Sequence, residues 1–275
     1  MFRVKTLTRE DFAFAVDLAN TMDWKMAVED FEFMTFLEPK GCFLLVDGSR
    51  RVGIATCISY GAVGWFGNLV VQEDCRGQGA GSLLVQHAIT YLHAQGTQSI
   101  GLYCEPTLTK FYSNLGFKTD EEFVYFHGEN DGAAKSAVLP KVERKHLPQI
   151  IGFDRQFVGG DRGKLLESII LEKDNLSYYV SDGKKVVGYI AATVYKNSAW
   201  VGPLICAPQR YDVALPLIET VLSNTKGKTV FAAFPKKDVR LSNALSGVKR
   251  GGGFELCRMF FGQSASKNCI YMAES

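Results

Sequence analysis

The sequence predicts an α/β (α+β) fold of two tandem domains, each a mixed, mostly antiparallel twisted sheet flanked by helices. Three observations carry this expectation. The chain repeats itself at a constant shift of 135 residues. Each copy opens on an apolar strand, a D-G turn and a second strand. The first copy then runs from a third strand through a glycine-rich turn into a helix.

The repeat comes first, because a fixed internal period decides the architecture before any local pattern does. Residues 43–71 read FLLVDGSRRVGIATCISYGAVGWFGNLVV, and residues 178–206 read YYVSDGKKVVGYIAATVYKNSAWVGPLIC. They align without a gap. Asp47-Gly48 falls on Asp182-Gly183, Gly53 on Gly188, Tyr60 on Tyr195, Trp65 on Trp200 and Gly67 on Gly202. Aspartate and glycine tolerate positive φ, so D-G between two apolar runs predicts a hairpin. A loop then leads to a strand entered by the tryptophan, which completes an antiparallel meander. Both copies continue with a helical segment. Near the end of each comes a Gly-Phe pair (Gly116-Phe117 and Gly253-Phe254) and a strand-like run. Between the copies, residues 131–147 are rich in Gly, Ala, Pro and charge, and read as a linker. The expected division is therefore 1–130, linker 131–147, and 148–275.

Composition narrows the function. Lysine plus arginine number 31 and aspartate plus glutamate 29, a net charge of +2. That argues against a protein held to nucleic acid by bulk charge. With 47% hydrophobic and 22% charged residues, the chain can bury a real core. No signal peptide or membrane-length apolar run is evident. The seven cysteines never form a CxxC pair and the four histidines never form HxxxH. Reduced thiols, a cytoplasmic protein and no metal are expected.

One motif carries chemistry. GNLVV is followed by QEDCRGQGAGSLLVQHAITYLHAQG, in which Arg76-Gly77-Gln78-Gly79-Ala80-Gly81-Ser82 turns from a strand into a helix. Leu84, Val85, Ala88, Ile89, Tyr91 and Leu92 give that helix one apolar face, and Gly96 is placed to end it. Three glycines let the backbone approach a ligand and turn N–H groups inward, the helix start adds unpaired donors, and Arg76 adds a fixed charge. A diphosphate suits such a cradle. The pattern is neither a Walker loop nor G-x-G-x-x-G, since position 82 is serine and the preceding strands form a meander. That disfavours an unrelated nucleotide-binding module.

R-G-x-G-x-[GA] after such a strand resembles motif A of the GNAT superfamily of N-acetyltransferases. SIGLYCE (99–105) is similar to that family's fifth strand, and EPTLTKFYSNLGF (105–117) to its helix ending in Y-x-x-x-G-F. The resemblance covers about residues 2–127. The whole chain resembles two-domain GNAT proteins whose C-terminal half is a degenerate GNAT-like domain. The resemblance implies acetyl-CoA as acyl donor, bound in a cleft where the fourth strand splays from the fifth. Backbone groups of Leu69, Val70 and Val71 would hold its pantetheine arm, and Arg76 with the amides of Gly77 to Ser82 its pyrophosphate. Tyr112 matches the tyrosine that protonates the departing thiolate, and Glu105 is the acidic candidate for the base. Asp23, Trp24, Asp30, Phe31 and Phe33 would suit a cationic amine, or simply form an amphipathic helix.

In the second copy the loop position reads CAPQRYDVALPLIETVL, with no glycine and with Pro208 and Pro216 lacking backbone donors. If Gly253-Phe254 matches Gly116-Phe117, Lys249 stands in place of Tyr112. The expected function is transfer of an acetyl group to a primary amine of a small molecule or amino acid, by a monomer or homodimer with no nucleic-acid or membrane partner. A non-catalytic acyl-CoA sensor or scaffold is the alternative. FVGGDRGK (157–164) is expected to form a turn at the interdomain cleft or a plain loop with a salt bridge.

Overall fold

The structure is a computed structural model that describes residues 1–132, 139–265 and 267–273. Part of the expected linker lies outside the described residues. In chain order the first elements are β1 (Phe2–Thr6), α1 (Phe12–Asn20), α2 (Val28–Leu37), β2 (Cys42–Asp47), β3 (Arg50–Ser59), β4 (Val63–Val71), α3 (Ala80–Ala94), β5 (Ser99–Cys104) and α4 (Thr109–Ser113). Then come β6 (Lys118–Glu129), α5 (Leu147–Val158), α6 (Gly163–Leu171), β7 (Leu176–Asp182), β8 (Lys185–Val194), β9 (Ser198–Cys206), α7 (Tyr211–Asn224), β10 (Thr229–Pro235), α8 (Val239–Ala244), β11 (Lys249–Phe261) and β12 (Ile270–Met272).

The chain forms two compact units of mixed, mostly antiparallel sheet flanked by helices. Unit 1 comprises Met1–Tyr103, Thr107–Thr119 and Met259–Ala265; unit 2 comprises Cys104–Pro106, Asp120–Arg258 and Ser266–Ser275. Neither is a continuous stretch, which the repeat does not foretell. Most of β6 belongs to unit 2, and the end of β11 belongs to unit 1.

In unit 1 the strand order is β1-β2-β3-β4-β5, with the end of β11 beside β5. Alternation along β2 decides the layers. Leu44 and Val46 join Phe12, Ala15 and Phe31 of α1 and α2 in one core. Phe43 points the other way, onto His87 and Tyr91 of α3 at ring distances of 4.8 and 5.7 Å. The sheet is thus covered on both faces.

Unit 2 has the order β6-β10-β9-β8-β7, with β11 beside β6 and β12 paired to β9. Val213, Ala214, Leu217, Ile218 and Val221 of α7 pack on Ile190, Ala192, Val201 and Leu204. The expected D-G hairpins form in both units: Asp47 pairs with Arg50 and Asp182 with Lys185, leaving Gly48 at φ +61 and Gly183 at φ +60 in the turns.

One expectation is corrected. Gly253-Phe254 lies inside β11, not before it, so it is not the counterpart of Gly116-Phe117. Gly247-Val248 follows α8 and precedes β11 as Gly116-Phe117 follows α4 and precedes β6. The counterpart of Tyr112 is then Asn243 in α8, whose carbonyl accepts from Ser246 as that of Tyr112 accepts from Leu115. Lys249 instead opens β11. FVGGDRGK takes one of its two expected forms, a loop with a salt bridge. Gly159 caps α5 at φ +76, and Arg162 is a core residue of unit 2 with 1% exposure. Its guanidinium holds Asp154 through two hydrogen bonds, and both side chains bond Tyr189. A charge so deeply buried requires such a partner.

Candidate active site

The site is built where β4 meets β5. These neighbours run parallel and pair only over Val63–Trp65 and Ser99–Gly101. Beyond that, Phe66 to Val71 continue with β3 on one side and no β5 partner on the other. A fork opens, with Leu69, Val70 and Val71 along one arm. Within it β4 carries an extra residue, because Ile54 faces Val70 while Thr56 faces Gly67. Asn68 takes φ +50 there, a conformation that asparagine tolerates better than most residues. Its amide donates to Thr56 Oγ1 at 3.0 Å and reaches Met34 Sδ at 3.0 Å. Asn68 is marked in the sequence only as an asparagine after a glycine inside an otherwise apolar strand.

After Val71 the chain makes a short 3-10 turn, Glu73–Cys75, and enters the glycine loop. Gly77 and Gly79 adopt φ +73 and +83, and Gly79 is the N-cap of α3. A Cβ on either would meet no atom within 4 Å, so the space over the loop is open. No hydrogen bond from the N–H groups of Gly77 to Ser82 is found among the described residues. These donors lie at the start of α3, the positive end of its dipole. Gly81 is closer to its surroundings: a Cβ there would lie 3.4 Å from Phe111.

The loop is braced from behind. Arg50 pairs with Asp74 at 2.8 Å and approaches Cys75 Sγ at 2.8 Å. The Arg50 hydrogen bond holds the Asp74 carboxyl below the usual carboxylate range. Gln78 donates to the Asp74 carbonyl at 2.8 Å. Arg76 is exposed, and its Nε donates to the Val71 carbonyl at 2.9 Å, so the end of β4 holds it.

Tyr112 lies in unit 1 on α4 and is 6% exposed, its ring 4.9 Å from Phe111 and 5.8 Å from Phe117. Phe111 therefore touches both Tyr112 and the region of Gly81. Glu105 follows β5, is exposed, and is grouped with unit 2. The structure does not bring it into one unit with the glycine loop and Tyr112. The aromatic-acidic set near the first helices is also dispersed. Phe31 is fully buried, the Asp30 carboxylate caps α2 by accepting from Ala27 N at 2.7 Å, and Asp23 and Trp24 lie in the α1–α2 loop. Phe33 is 37% exposed.

No group of three or more His, Cys, Asp or Glu is placed to hold a metal among the described residues. No helix among them is long and apolar enough to cross a membrane.

Comparison with known proteins fits this geometry. Residues 7–117 match the model of the acetyltransferase (GNAT) family, and residues 150–271 match a second acetyltransferase (GNAT) domain model. The chain belongs to the GNAT acetyltransferase family. Its second domain is a divergent copy.

Among curated relatives, a protein of Oryza sativa named serotonin N-acetyltransferase 2, chloroplastic, is 34% identical over 65 residues. That match covers 24% of this chain and 32% of the relative. An uncharacterized N-acetyltransferase, ycf52, of Gracilaria tenuistipitata is 35% identical over 66 residues, 24% of this chain and 35% of its own. The match thus spans about a third of either relative. Among solved structures, a putative acetyltransferase from Pyrococcus horikoshii has a TM-score of 0.80 at 16% identity, over 98% of this chain and 92% of that one. A GCN5-related N-acetyltransferase from Sphaerobacter thermophilus has a TM-score of 0.66 at 14% identity, over 97% and 96%. At these identities the likeness is one of fold.

Proposed function

We propose that this GNAT protein transfers an acetyl group from acetyl-CoA to a primary amine of a small molecule or amino acid, with one active site in residues 1–130. Residues 148–275 form the copy without a cofactor loop. The observation that carries this reading is the fork between β4 and β5, opening beside a glycine loop whose amides make no hydrogen bond among the described residues and whose Gly77 and Gly79 have open space beside them. The donor is a diphosphate joined to a long amide chain, and the site offers amides at one end and an unpaired strand edge along the rest.

Each residue then has a task. The amides of Gly77 to Ser82 bind the pyrophosphate, with Arg76 at the mouth. The free edge of Leu69, Val70 and Val71 hydrogen-bonds the pantetheine. The neutral amine attacks the thioester carbonyl, the C–N bond forms as the C–S bond breaks, the thiolate takes a proton from Tyr112, and the proton that the nitrogen gives up as it becomes an amide returns Tyr112 to the phenol. A general acid so placed contributes roughly 10²–10⁴ in rate. Glu105 is the base to test, through Glu105→Gln, because the ammonium form must lose a proton before it attacks. Water is the other acceptor for that proton.

The test is a panel of amines and amino acids with acetyl-CoA, read as free thiol. Serotonin belongs in the panel because a relative carries that name. Amine-dependent thiol release, with one acetyl-CoA bound per chain, is the expected result. Binding without turnover across the panel would establish the acyl-CoA sensor instead, and no binding would defeat both readings.

A further inference from the structure

Unit 2 opens a fork of its own, and the chain itself fills it. Strands β9 and β10 pair in parallel only over Ser198–Trp200 and Thr229–Phe231. Beyond Phe231, β10 keeps β6 on its outer side, and β9 keeps β8. Strand β12 lies against the inner side of β9, antiparallel to it, with Ile270 opposite Cys206, Tyr271 opposite Ile205 and Met272 opposite Leu204. The next residue crosses to the other arm, where Ala273 N donates to the Ala233 carbonyl at 2.8 Å. The Ala273 carbonyl accepts from Trp200 Nε1 at 3.0 Å.

This fork is costly to leave empty. Leu204, Ile205 and Cys206 are fully buried, and a buried backbone N–H or C=O without a partner costs about as much as a lost hydrogen bond. Their counterparts at the constant shift of the repeat are Leu69, Val70 and Val71, the edge proposed for pantetheine. The second copy has no glycine loop to bring such a ligand. Here β12 supplies the missing ladder.

The fork reads side chains as well as backbone. Successive residues of a strand point to opposite faces. Ile270 and Met272 join Val213, Leu217 and Ile218 of α7 in one core. Tyr271 points the other way. Its ring stands edge-on to Phe123 at 6.1 Å and lies 5.8 Å from the Arg258 guanidinium, which itself lies 4.8 Å over Phe123. Arg258 is buried and is held by Asp120 and Glu121 at 2.6 and 3.0 Å. At Ala273 the backbones pass so close that a Cβ on Gly202 would lie 2.0 Å from the Ala273 oxygen. The fork thus suits an extended peptide with two apolar side chains on one face and an aromatic ring between them on the other. The residues leading into β12 differ: Lys267 and Asn268 are exposed and lie in no helix or strand.

We propose that the fork of unit 2 is a peptide-binding site of the strand-addition kind, that Ile270–Ala273 is its resident ligand, and that the same peptide exchanges into it from solution. Main-chain bonds to both arms hold the peptide. The core beneath α7 and the Phe123–Arg258 face select its side chains.

The experiment inserts a protease recognition sequence between Lys267 and Asn268 of the full chain, which folds intact and is then cut. The peptide 268–275 is expected to remain with the body on size-exclusion chromatography. Labelled peptide NCIYMAES in excess then replaces it, read by fluorescence anisotropy. Body freed of peptide melts at a lower temperature, and added peptide restores the melting temperature with rising concentration. The synthetic peptide carrying Met272→Asp binds at least about ten-fold more weakly, because its carboxylate would enter the core. Where the insertion impairs folding, the chain ending at Lys267, refolded with and without the peptide, gives the same readings. Peptide lost on cutting with an unchanged melting temperature overturns the proposal, since the fork then needs no ligand. A segment that stays and never exchanges overturns it too, because β12 is then a fixed strand of the fold. Equal binding of the Met272→Asp peptide removes the selectivity and with it the site.

Discussion

At Tyr112 the ring and the hydroxyl do separable jobs. The ring fills the space between Phe111 and Phe117, and phenylalanine would fill it as well. Only the hydroxyl can protonate a thiolate. Tyr112→Phe should therefore keep the CoA affinity and lower kcat by about 10² or more, measured by single-turnover thiol release. A variant with full kcat would move the general acid elsewhere. Cysteine gives a second prediction at this scale. Burial pushes the thiols of Cys42 and Cys104 up to about 12 from an ordinary value of 9.0, and raises those of Cys57 and Cys206 as well. The sign follows from which state holds its protons. Unfolded thiols ionise near 9 while the folded ones stay neutral, so this contribution to stability is complete below pH 9 and lost as the pH rises toward 12. The melting temperature should fall steadily above about pH 9. Cys42→Ala with Cys57→Ala should flatten that slope, even though the double variant starts from a lower melting temperature.

The elements that serve the site are short pieces of backbone held in unusual conformations. Gly79 caps α3 at φ +83, a conformation that costs an L-residue roughly 1–2 kcal/mol. It also leaves open space over the loop. Gly79→Ala should thus lower the melting temperature modestly and remove CoA binding far more than that cost explains, since the methyl enters the diphosphate's space. Equal, small losses in both would reduce the loop to a plain turn. Local elements of this kind were legible in the sequence. The D-G hairpins, the apolar face of α3 and the left-handed Gly96 at its end all depend on residues close together in the chain. Features set by distant partners were not. The fork is a place where pairing stops; the family resemblance implied it, but no side-chain pattern marks it. Pro208 and Pro216 announced the loss of a phosphate cradle in the second copy, yet nothing in IYMA announced that this tetrapeptide would occupy the cleft. Gly253-Phe254 misled because it imitated Gly116-Phe117 in spacing, while its place inside β11 is fixed by neighbours far along the chain. The burial of Arg162 was not legible for the same reason: its partners, Asp154 and Tyr189, come from two other elements.

At the scale of the whole molecule, the unit that holds the glycine loop and Tyr112 is not coextensive with the first half of the sequence. Met259–Ala265, from the far end of the chain, belongs to unit 1. Met259 and Phe260 are buried at 0% and 3% exposure. Phe260 meets Trp65 at 5.8 Å, Phe261 meets Phe117 at 5.7 Å and His93 at 5.7 Å, and the Gln263 carbonyl accepts from Ser99 Oγ at 2.6 Å. These contacts fall on both sides of the site: Trp65 and Ser99 sit where β4 and β5 still pair, and Phe117 backs the ring of Tyr112. A chain ending at residue 130 keeps the glycine loop, the fork and Tyr112, but exposes the surfaces that Met259, Phe260 and Phe261 cover. Losing one buried aromatic side chain alone costs about 3–5 kcal/mol, a large part of what holds a domain together. The fragment 1–130 should therefore be aggregation-prone and bind CoA at least about ten-fold more weakly than the full chain, while co-expression with 131–275 restores a soluble, CoA-binding pair. Size-exclusion chromatography with CoA titration reads both outcomes. A fragment that folds and binds alone would show that the segment Met259–Ala265 decorates the first unit without completing it.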